Sequence, residues 1–582
     1  MLARKLAALA VLLLVGANAC ARAAEAARGG TLTPEPATPS ALAVRWAIRG
    51  DSNANATVAV AYRRKGDEHW RDGYPLFRTY PDRVSPDNLV KDGWLFAGSV
   101  IDLDPGTDYE LRLALADPDG GNETRRLTLR TATEPRAPAD LRVLHVVPRG
   151  ADGAAQGSGG AQDPFRGLRA ALATARPGDL LRLAPGTYAE SALRPNQAGN
   201  PARPIVIRGN GDGVVLDGGG APLLIDLASL SDIWVENVTL RNAQDLVRAD
   251  RSHRIVIRGN RIDLTGRGVV AHGAIYKEAT GFFITDNEFV GTTEWPRARG
   301  IEGVLAINIT GSGHVVAYNR ITRVADGIHN GDNGRQSAMD IYNNEIELAT
   351  DDGIETDYSD TNVRVFRNRI TNAFSGISGQ PVYGGPVYVF RNTILNTQYS
   401  PFKLHNDMAG MLLFHNTSVK AGSPFVISPA NETVRDVVTR NNLFVGTGGP
   451  ALRTTGQMQR CDFDNDGYSW STGSFATWNG KTFASPLAAK MDGAIYTRLG
   501  AIALPSWFLF ASGLFAPTHF AERRPSAAND PTLAEGSAAI DKGVLLPNFN
   551  DGFRGKAPDL GCCEAGEPVP HYGPRPKERR PW

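Results

Sequence analysis

The chain has 582 residues, with 62 Lys+Arg against 61 Asp+Glu and a formal net charge of +1. This balance gives no electrostatic reason to expect nucleic acid or an anionic membrane as partner, and the length argues against a single ordinary domain. The 63 glycines and 37 prolines suit many tight turns and few long helices.

Residues 1–24 pair the basic Arg4 and Lys5 with a short apolar core, Leu6 to Val15, and a small-residue tail. This reads as a secretory signal, too short for a membrane span, and predicts a secreted or periplasmic protein. Cys20 allows a lipid-anchored alternative, against which Ala17 and Asn18 argue. The apolar run at 499–517 is broken by Pro505, Ser506, Ser512 and Gly513. It reads as buried packing, so no transmembrane span is expected. Cys461 is expected either to pair with Cys562 or Cys563 in an oxidising compartment or to stay a buried thiol, and no zinc-like spacing exists.

Residues 31–135 alternate apolar and polar residues in short runs such as ALAVRWAI (41–48) and YELRLAL (109–115), a β-sandwich pattern. The run LDPGTDYELR (103–112) resembles the fibronectin type III signature. The resemblance implies a tyrosine corner at Tyr109 and a core position for Trp46, with the module serving as spacer or binding platform. Pro135 and Pro138 mark its end.

The next unit, 140–475, opens with a stretch in which Asp163 is the expected N-cap and Pro164 the first residue of a helix. Phe165, Leu168 and Leu172 would lie on its buried face. The stretch resembles the N-terminal cap of pectate-lyase-like β-helix proteins. Beyond it an Asn-x-apolar pattern recurs at Asn260, Asn287, Asn319, Asn344, Asn368, Asn392 and Asn441, with Asn416 in a variant form. Most intervals are roughly 24–27 residues, the mark of a solenoid whose stacked asparagines bond one another at a turn. The expected fold is therefore all-β: a right-handed parallel β-helix preceded by the sandwich. Residues 476–582 lose the period and read as a C-terminal cap and trailing segment.

Registering the coils on these asparagines aligns RGIEGV (299–304), DGIHNG (326–331), DGIETD (352–357), SGISGQ (375–380) and SPFKLH (400–405). If Ile301, Ile328, Ile354, Ile377 and Phe402 point inward, one outward column is Glu302, His329, Glu355, Ser378 and Lys403. A second column holds Asp357, Gln380 and His405, and Asp326 and Asp352 stack at the preceding turn beside Asp351. Coils ~4.8 Å apart bring these groups onto one patch. Both charge signs and two imidazoles on adjacent rungs suit catalysis better than a merely polar sheet face.

Two mechanisms suit this patch. Asp326, Asp351, Asp352 and Glu355 form an oxygen-rich set suited to Ca²⁺. Lys403, with a pKa lowered by nearby cations and partial burial, would then abstract the carbon 5 proton of a uronate. DDGIE (351–355) and PFKLH (401–405) resemble the calcium motif and the lysine strand of family-nine pectate lyases. The resemblance implies calcium ligation by Asp351, Asp352, Glu355 and Asp326 and a base at Lys403. Glu355 and His405 depart from that family's pattern, and a full coil separates the motifs. Alternatively Glu355 and Asp357, or Glu302 with Glu355, act as the paired carboxylates of a glycoside hydrolase. A glycan-binding adhesion module is a third reading. Glu302, Arg367 and Arg391 are expected to bind substrate, the two arginines by holding acidic sugars, although these also read as solvated turn residues. Tyr358, Tyr383 and Tyr399 are candidates for sugar stacking. The expected partner is a polysaccharide bound by a monomer.

Overall fold

The computed structural model describes residues 25–580 except 81–88, 92, 151–155, 272–278, 299, 301–302, 331–334, 428–431, 472, 494, 496–497, 506–507 and 527–529. The expected signal sequence and Cys20 anchor lie outside the described residues, as does Glu302. Among the described residues no helix is long and apolar enough to cross a membrane.

Eight strands form the N-terminal sandwich: β1 Arg28–Pro34, β2 Leu42–Arg49, β3 Thr57–Arg64, β4 Arg71–Gly73, β5 Phe77–Thr79, β6 Gly93–Val100, β7 Asp108–Ala116 and β8 Glu123–Arg130. They pair as β1-β2-β6-β5 and β4-β3-β7-β8, the order of an immunoglobulin-like sandwich. Alternation along β7 puts Tyr109, Leu111, Leu113 and Leu115 into a core around the fully buried Trp46. The Tyr109 hydroxyl accepts the Asp104 N–H at 3.0 Å, closing the expected corner.

The rest of the chain winds into a right-handed parallel β-helix. The coil from Val363 shows how sequence dictates shape. Val363–Phe366 forms a first face. Arg367 and Asn368 turn the chain, and the strand Arg369–Gly379 bends to supply a second and then a third face. Interior side chains stack in register from coil to coil. Ile341, Val365 and Val389 line the first face, Ile346, Ile370 and Ile394 the second, and Ile328, Ile354, Ile377 and Phe402 the third. Such dry columns supply the apolar burial that holds the coils together.

The asparagine ladder fixes the first turn. Asn368 Nδ2 donates to Asn392 Oδ1 at 3.0 Å and to the Ile341 carbonyl at 2.9 Å. Its own Oδ1 accepts the backbone and side-chain N–H groups of Asn344. The pattern runs from Asn260 through Asn287, Asn319, Asn344, Asn368, Asn392 and Asn416. It then passes to Asn442, not Asn441, and ends on Asp466. The expected register was one residue off at that coil because Leu443 mimics the inward position. Phe444 is the residue that enters the core. Asn441 instead adopts φ +59°, as do Arg367 (+53°), Arg391 (+54°) and His415 (+52°) before their ladder residues.

Helix α1 spans Leu168–Thr174, shorter than expected. Phe165 pairs with Val146 as a strand, and Asp163 accepts the Ser158 N–H in a turn. The helix end is capped instead by the Glu190 carboxylate, which accepts the Leu168 N–H at 2.6 Å. The C-terminal segment runs back along the solenoid. Glu522 and Arg524 carbonyls accept from Asn396 and Asn372, the His571 carbonyl accepts from Asn343, and Arg575 reaches Asp286. Leu504, Leu509, Phe510 and Leu514 of the 499–517 run are buried, whereas Phe508 and Phe515 are exposed. Cys461 lies beside the Val434 and Gln459 carbonyls, away from Cys562 and Cys563, which adjoin Thr393 and each other. All three are free, so the expected pairing of Cys461 is not made.

The sandwich sits on the first face. Tyr74 and Phe77 pack against Phe366, Tyr388, Phe390 and Phe414. The buried Arg364 pairs with Asp340 and donates to the Ser99 hydroxyl, while Glu35 accepts from Thr361 and Asn362. A buried network of this kind, in which Arg364, Asp340, Ser99, Asn362 and Glu35 bond across the seam, favours one docking geometry.

Two outcomes follow for stability. Asn368→Ala strands the Ile341 carbonyl and the Asn344 N–H, and is expected to cost about 2–4 kcal/mol by denaturant unfolding. A loss no larger than that of the half-buried Asn237→Ala would remove the ladder's role. His314 is buried between the Phe282 N–H and the Thr310 carbonyl, and burial pushes its pKa down to about 4. The unfolded imidazole, near the ordinary 6.5, therefore binds a proton first. Its contribution is complete above pH 6.5 and is lost as pH falls toward 4, by about 3 kcal/mol. Urea midpoints across that window should fall less steeply for His314→Gln than for the native chain.

Candidate functional site

The third face carries the site, and glycine is what lets it form. In the DGI, DGI and SGI segments a Cβ on Gly327, Gly353 or Gly376 would lie 2.4–3.0 Å from the next coil's carbonyl and from Ile346, Ile370 or Ile394. Close packing there presses Asp326, Asp352 and Ser375 into one column and aims the residues two beyond each glycine outward. Strand register then places Asn308, His329, Glu355, Ser378 and Lys403 on successive rungs. The expected column is thus present from His329 onward. Its first member is Asn308 rather than Glu302, because the coil between Asn287 and Asn319 is 32 residues long. The strand Leu305–Ile309 takes the rung where RGIEGV was expected.

Ion pairs bind these rungs together. Lys403 Nζ donates to Asp352 Oδ2 at 2.6 Å, spanning the rung of Ser375 and Ser378. Asp326 Oδ1 accepts the Asp352 N–H at 2.9 Å. His329 Nδ1 contacts Glu355 closely and lies 3.5 Å from Asp326 Oδ2. Asp357 Oδ1 accepts from the Ser378 hydroxyl and the Gln380 N–H, both at 2.8 Å. His405 Nε2 meets the Tyr399 hydroxyl at 3.3 Å.

Burial sets the electrostatics. It disfavours charge on every group here, and for carboxylates it acts with their mutual repulsion. Asp351 is pushed up to about 7 by burial and then by Asp352 and Asp326. Asp357 rises to about 7 by burial and by Asp352. Burial alone would lower His329, but Asp326 and Glu355 outweigh it and raise the imidazole to about 11, so it is charged. Burial lowers His405, which is neutral near pH 7. Lys403 corrects the expectation of a lowered pKa. Burial does act downward, but the Asp352 contact, with Asp357 and Asp351 behind it, holds the ammonium above its ordinary range.

The expected metal ligands separate into two sets that share Asp326. Asp326, Asp351 and Asp352 bring carboxylate oxygens within 4.8 Å of one another, and Asp326, His329 and Glu355 bring two carboxylate oxygens and an imidazole nitrogen equally close. Glu355 therefore belongs with His329 rather than with Asp351 and Asp352. The first set is all oxygen, as a hard cation such as Ca²⁺ requires. Asp352 Oδ1 is moreover a buried acceptor without a hydrogen-bond partner. Other unpartnered buried acceptors gather nearby: Asn308 Oδ1, Asn330 Oδ1, Gln380 Oε1 and Gln398 Oε1. These donors fit a bound cation and a polar ligand.

Arg367 and Arg391 do not join the patch. Both occupy the outward position before a ladder asparagine. There Arg367 forms a fork with Asp102 of the sandwich, and Arg391 donates to the Phe549 carbonyl. Tyr358 and Tyr383 lie with ring centroids 6.3 Å apart, Tyr383 under Arg335, while Tyr399 stacks on Phe374. Sequence reasoning missed Arg297, whose Nη1 donates to Asp351 Oδ1 at 2.8 Å, together with Asn308 and Phe374. The overlong coil was the one sequence signal for a loop reaching the site.

Residues 212–380 and 305–466 match the family described as right handed beta helix region. Among solved structures, pectate lyase Pel9A is 14% identical, covering 73% of this chain and 98% of its own, with a TM-score of 0.33. XylC in complex with xylose is 12% identical over 57% of this chain and 76% of its own, with a TM-score of 0.38. The catalytic domain of a GH87 alpha-1,3-glucanase in complex with nigerose is 12% identical over 78% and 85%, with a TM-score of 0.29. No curated protein matches the chain.

If Asp352 is what keeps Lys403 charged, Asp352→Asn lowers the lysine pKa. Acylation of Lys403 by an amine-specific reagent, followed by mass spectrometry in chelated solution, should then begin at lower pH than in the native chain. An unchanged labelling profile would show that Asp352 does not control the lysine.

Proposed function

We propose that this chain is an extracellular enzyme that cleaves a uronate-containing polysaccharide by β-elimination with the help of Ca²⁺. The observation that carries the reading is the contact of Lys403 with Asp352, an amine set against a three-carboxylate cation site on one open sheet face.

In this reading Asp326, Asp351 and Asp352 hold the ion. When bound, it would neutralise the substrate carboxylate, acidify the hydrogen on carbon 5 and draw Asp352 away from Lys403. Lys403, relieved of that partner, loses its own proton to solvent and as the neutral amine takes the carbon 5 proton. The carbon 4–oxygen bond breaks, the leaving oxygen takes a proton from water, and a double bond remains between carbons 4 and 5. His329, charged and braced by Glu355, adds positive charge beside the same carboxylates. Ser378 and Gln380, on the rung between Glu355 and Lys403, fix Asp357. Neutral His405, next to Lys403 along the strand and tied to Tyr399, borders the lysine side of the groove. The raised carboxyl groups of Glu355 and Asp357 also favour a second reading, acid–base hydrolysis by that pair.

A product assay separates the readings. Polygalacturonate or alginate should acquire near-ultraviolet absorbance that chelator removes and added Ca²⁺ restores. Lys403→Ala should lower the rate by about 10²–10⁴ while leaving polymer binding in place. Asp352→Ala should raise the Ca²⁺ needed for turnover. Reducing ends without absorbance, insensitive to chelator and lost in Glu355→Gln, would establish the hydrolase instead.

A further inference from the structure

Outside the solenoid's core, aromatic rings stack from coil to coil in two places among the described residues. Tyr342, Phe366 and Phe390 stack on the first face, where Phe366 and Phe390 are buried and Tyr74 and Phe549 cover the cluster. Phe374 and Tyr399 stack at the corner leading into the third face, with ring centroids 5.6 Å apart and planes at 12°. These two rings stay half-buried. Arg297 lies over Phe374 with its guanidinium carbon 3.4 Å from the ring centroid, brought there by the long coil.

From this arrangement we infer a sugar-binding subsite beside the acidic patch. One hexuronate unit lays its apolar carbons against the edges of the stacked Phe374 and Tyr399 rings and presents its carboxylate to Arg297. The inference rests on the reading of the site as one for acidic polysaccharide and adds which residues recognise the acid. Three observations favour this occupant. The half-buried stacked rings offer, along their edges, an apolar strip that the C–H groups of a pyranose can cover. Arg297 Nη1 is held by Asp351, and the other N–H groups of the fork make no hydrogen bond among the described residues. A planar guanidinium pinned on a ring is preorganised for a carboxylate, which a lysine would bind less selectively. Finally, Tyr399 bonds His405, two residues from Lys403, so a sugar against these rings adjoins the amine that takes the proton.

The test is calorimetric binding of short oligogalacturonate and oligoalginate, each beside its carboxyl-reduced neutral counterpart. Arg297→Ala should weaken the charged oligomers about tenfold or more and leave the neutral ones unchanged. Arg297→Lys should recover part of the loss. Tyr399→Ala should weaken charged and neutral oligomers alike, by about threefold to tenfold. Melting temperatures like that of the native chain check folding, since these side chains lie outside the core. Arg297→Ala binding both oligomer kinds as the native chain does, or weakening both equally, overturns the subsite. So does native protein that binds none of the four probes. Charge-selective binding without any double-bond formation keeps the subsite and discards the lyase. Cleavage with native selectivity in Arg297→Ala does the reverse.

Discussion

The side-chain amide stack at the first turn of each coil is the constraint on which the rest of the molecule depends. Each ladder asparagine takes up backbone groups of the neighbouring coils that would otherwise be buried and unpaired. It does so at a fixed height, which locks the register of coil upon coil. Register is everything in a parallel solenoid, since a slip of one residue would exchange every inward and outward side chain. The residue before each ladder asparagine sits in the left-handed region, a placement that costs about 1–3 kcal/mol for a residue with a Cβ. Ladder bonds offset that strain, and Arg367, Arg391, His415 and Asn441 are turned outward as a result.

That outward column shows why one part of the site was legible in sequence and another was not. Periodicity within the solenoid locates His329, Glu355, Ser378 and Lys403, because parallel register converts a sequence interval directly into a vertical position. Coil length sets the limit. Where the interval jumps to 32 residues between Asn287 and Asn319, counting fails and Glu302 is assigned a rung that Asn308 holds. The surplus chain is also what carries Arg297 to Asp351, a contact 54 residues apart that no interval encodes. Arg367 failed for a different reason. Its outward direction was readable, but its environment is the docked sandwich, and Asp102 is fixed there by tertiary packing. Asn441 failed locally, because two successive asparagines before Leu443 offer two registers and only core packing by Phe444 decides between them.

The sandwich bears on the site through rigidity rather than through contact with it. It covers the aromatic first face and closes its polar seam with Arg364, Asp340, Ser99, Asn362 and Glu35. The C-terminal segment ties down the second-turn asparagines Asn372 and Asn396 in the same way. Two of the solenoid's three sides are thereby occupied by protein. The remaining side carries the carboxylate cluster of Asp326, Asp351 and Asp352.

The corner between the second and third faces explains why chemistry gathers at that particular edge. Strand pairing is regular up to Ala349, Ala373 and Thr397 and resumes at Asp352, Ser375 and Ser400. Between those points the coils carry two, one and two residues, so the ladder bulges. A bulged residue is released from the strict alternation of a strand and can be aimed along the sheet surface. Asp351, Phe374 and Tyr399 are such residues. One completes the three-carboxylate set, and the other two build the aromatic wall beside it. Regular pairing on either side holds Asp352 and Lys403 in place, while the bulge varies what stands next to them. A solenoid keeps its core invariant and changes its surface at the corners, and here the corner brings three carboxylates, an amine and a stacked aromatic pair onto one edge.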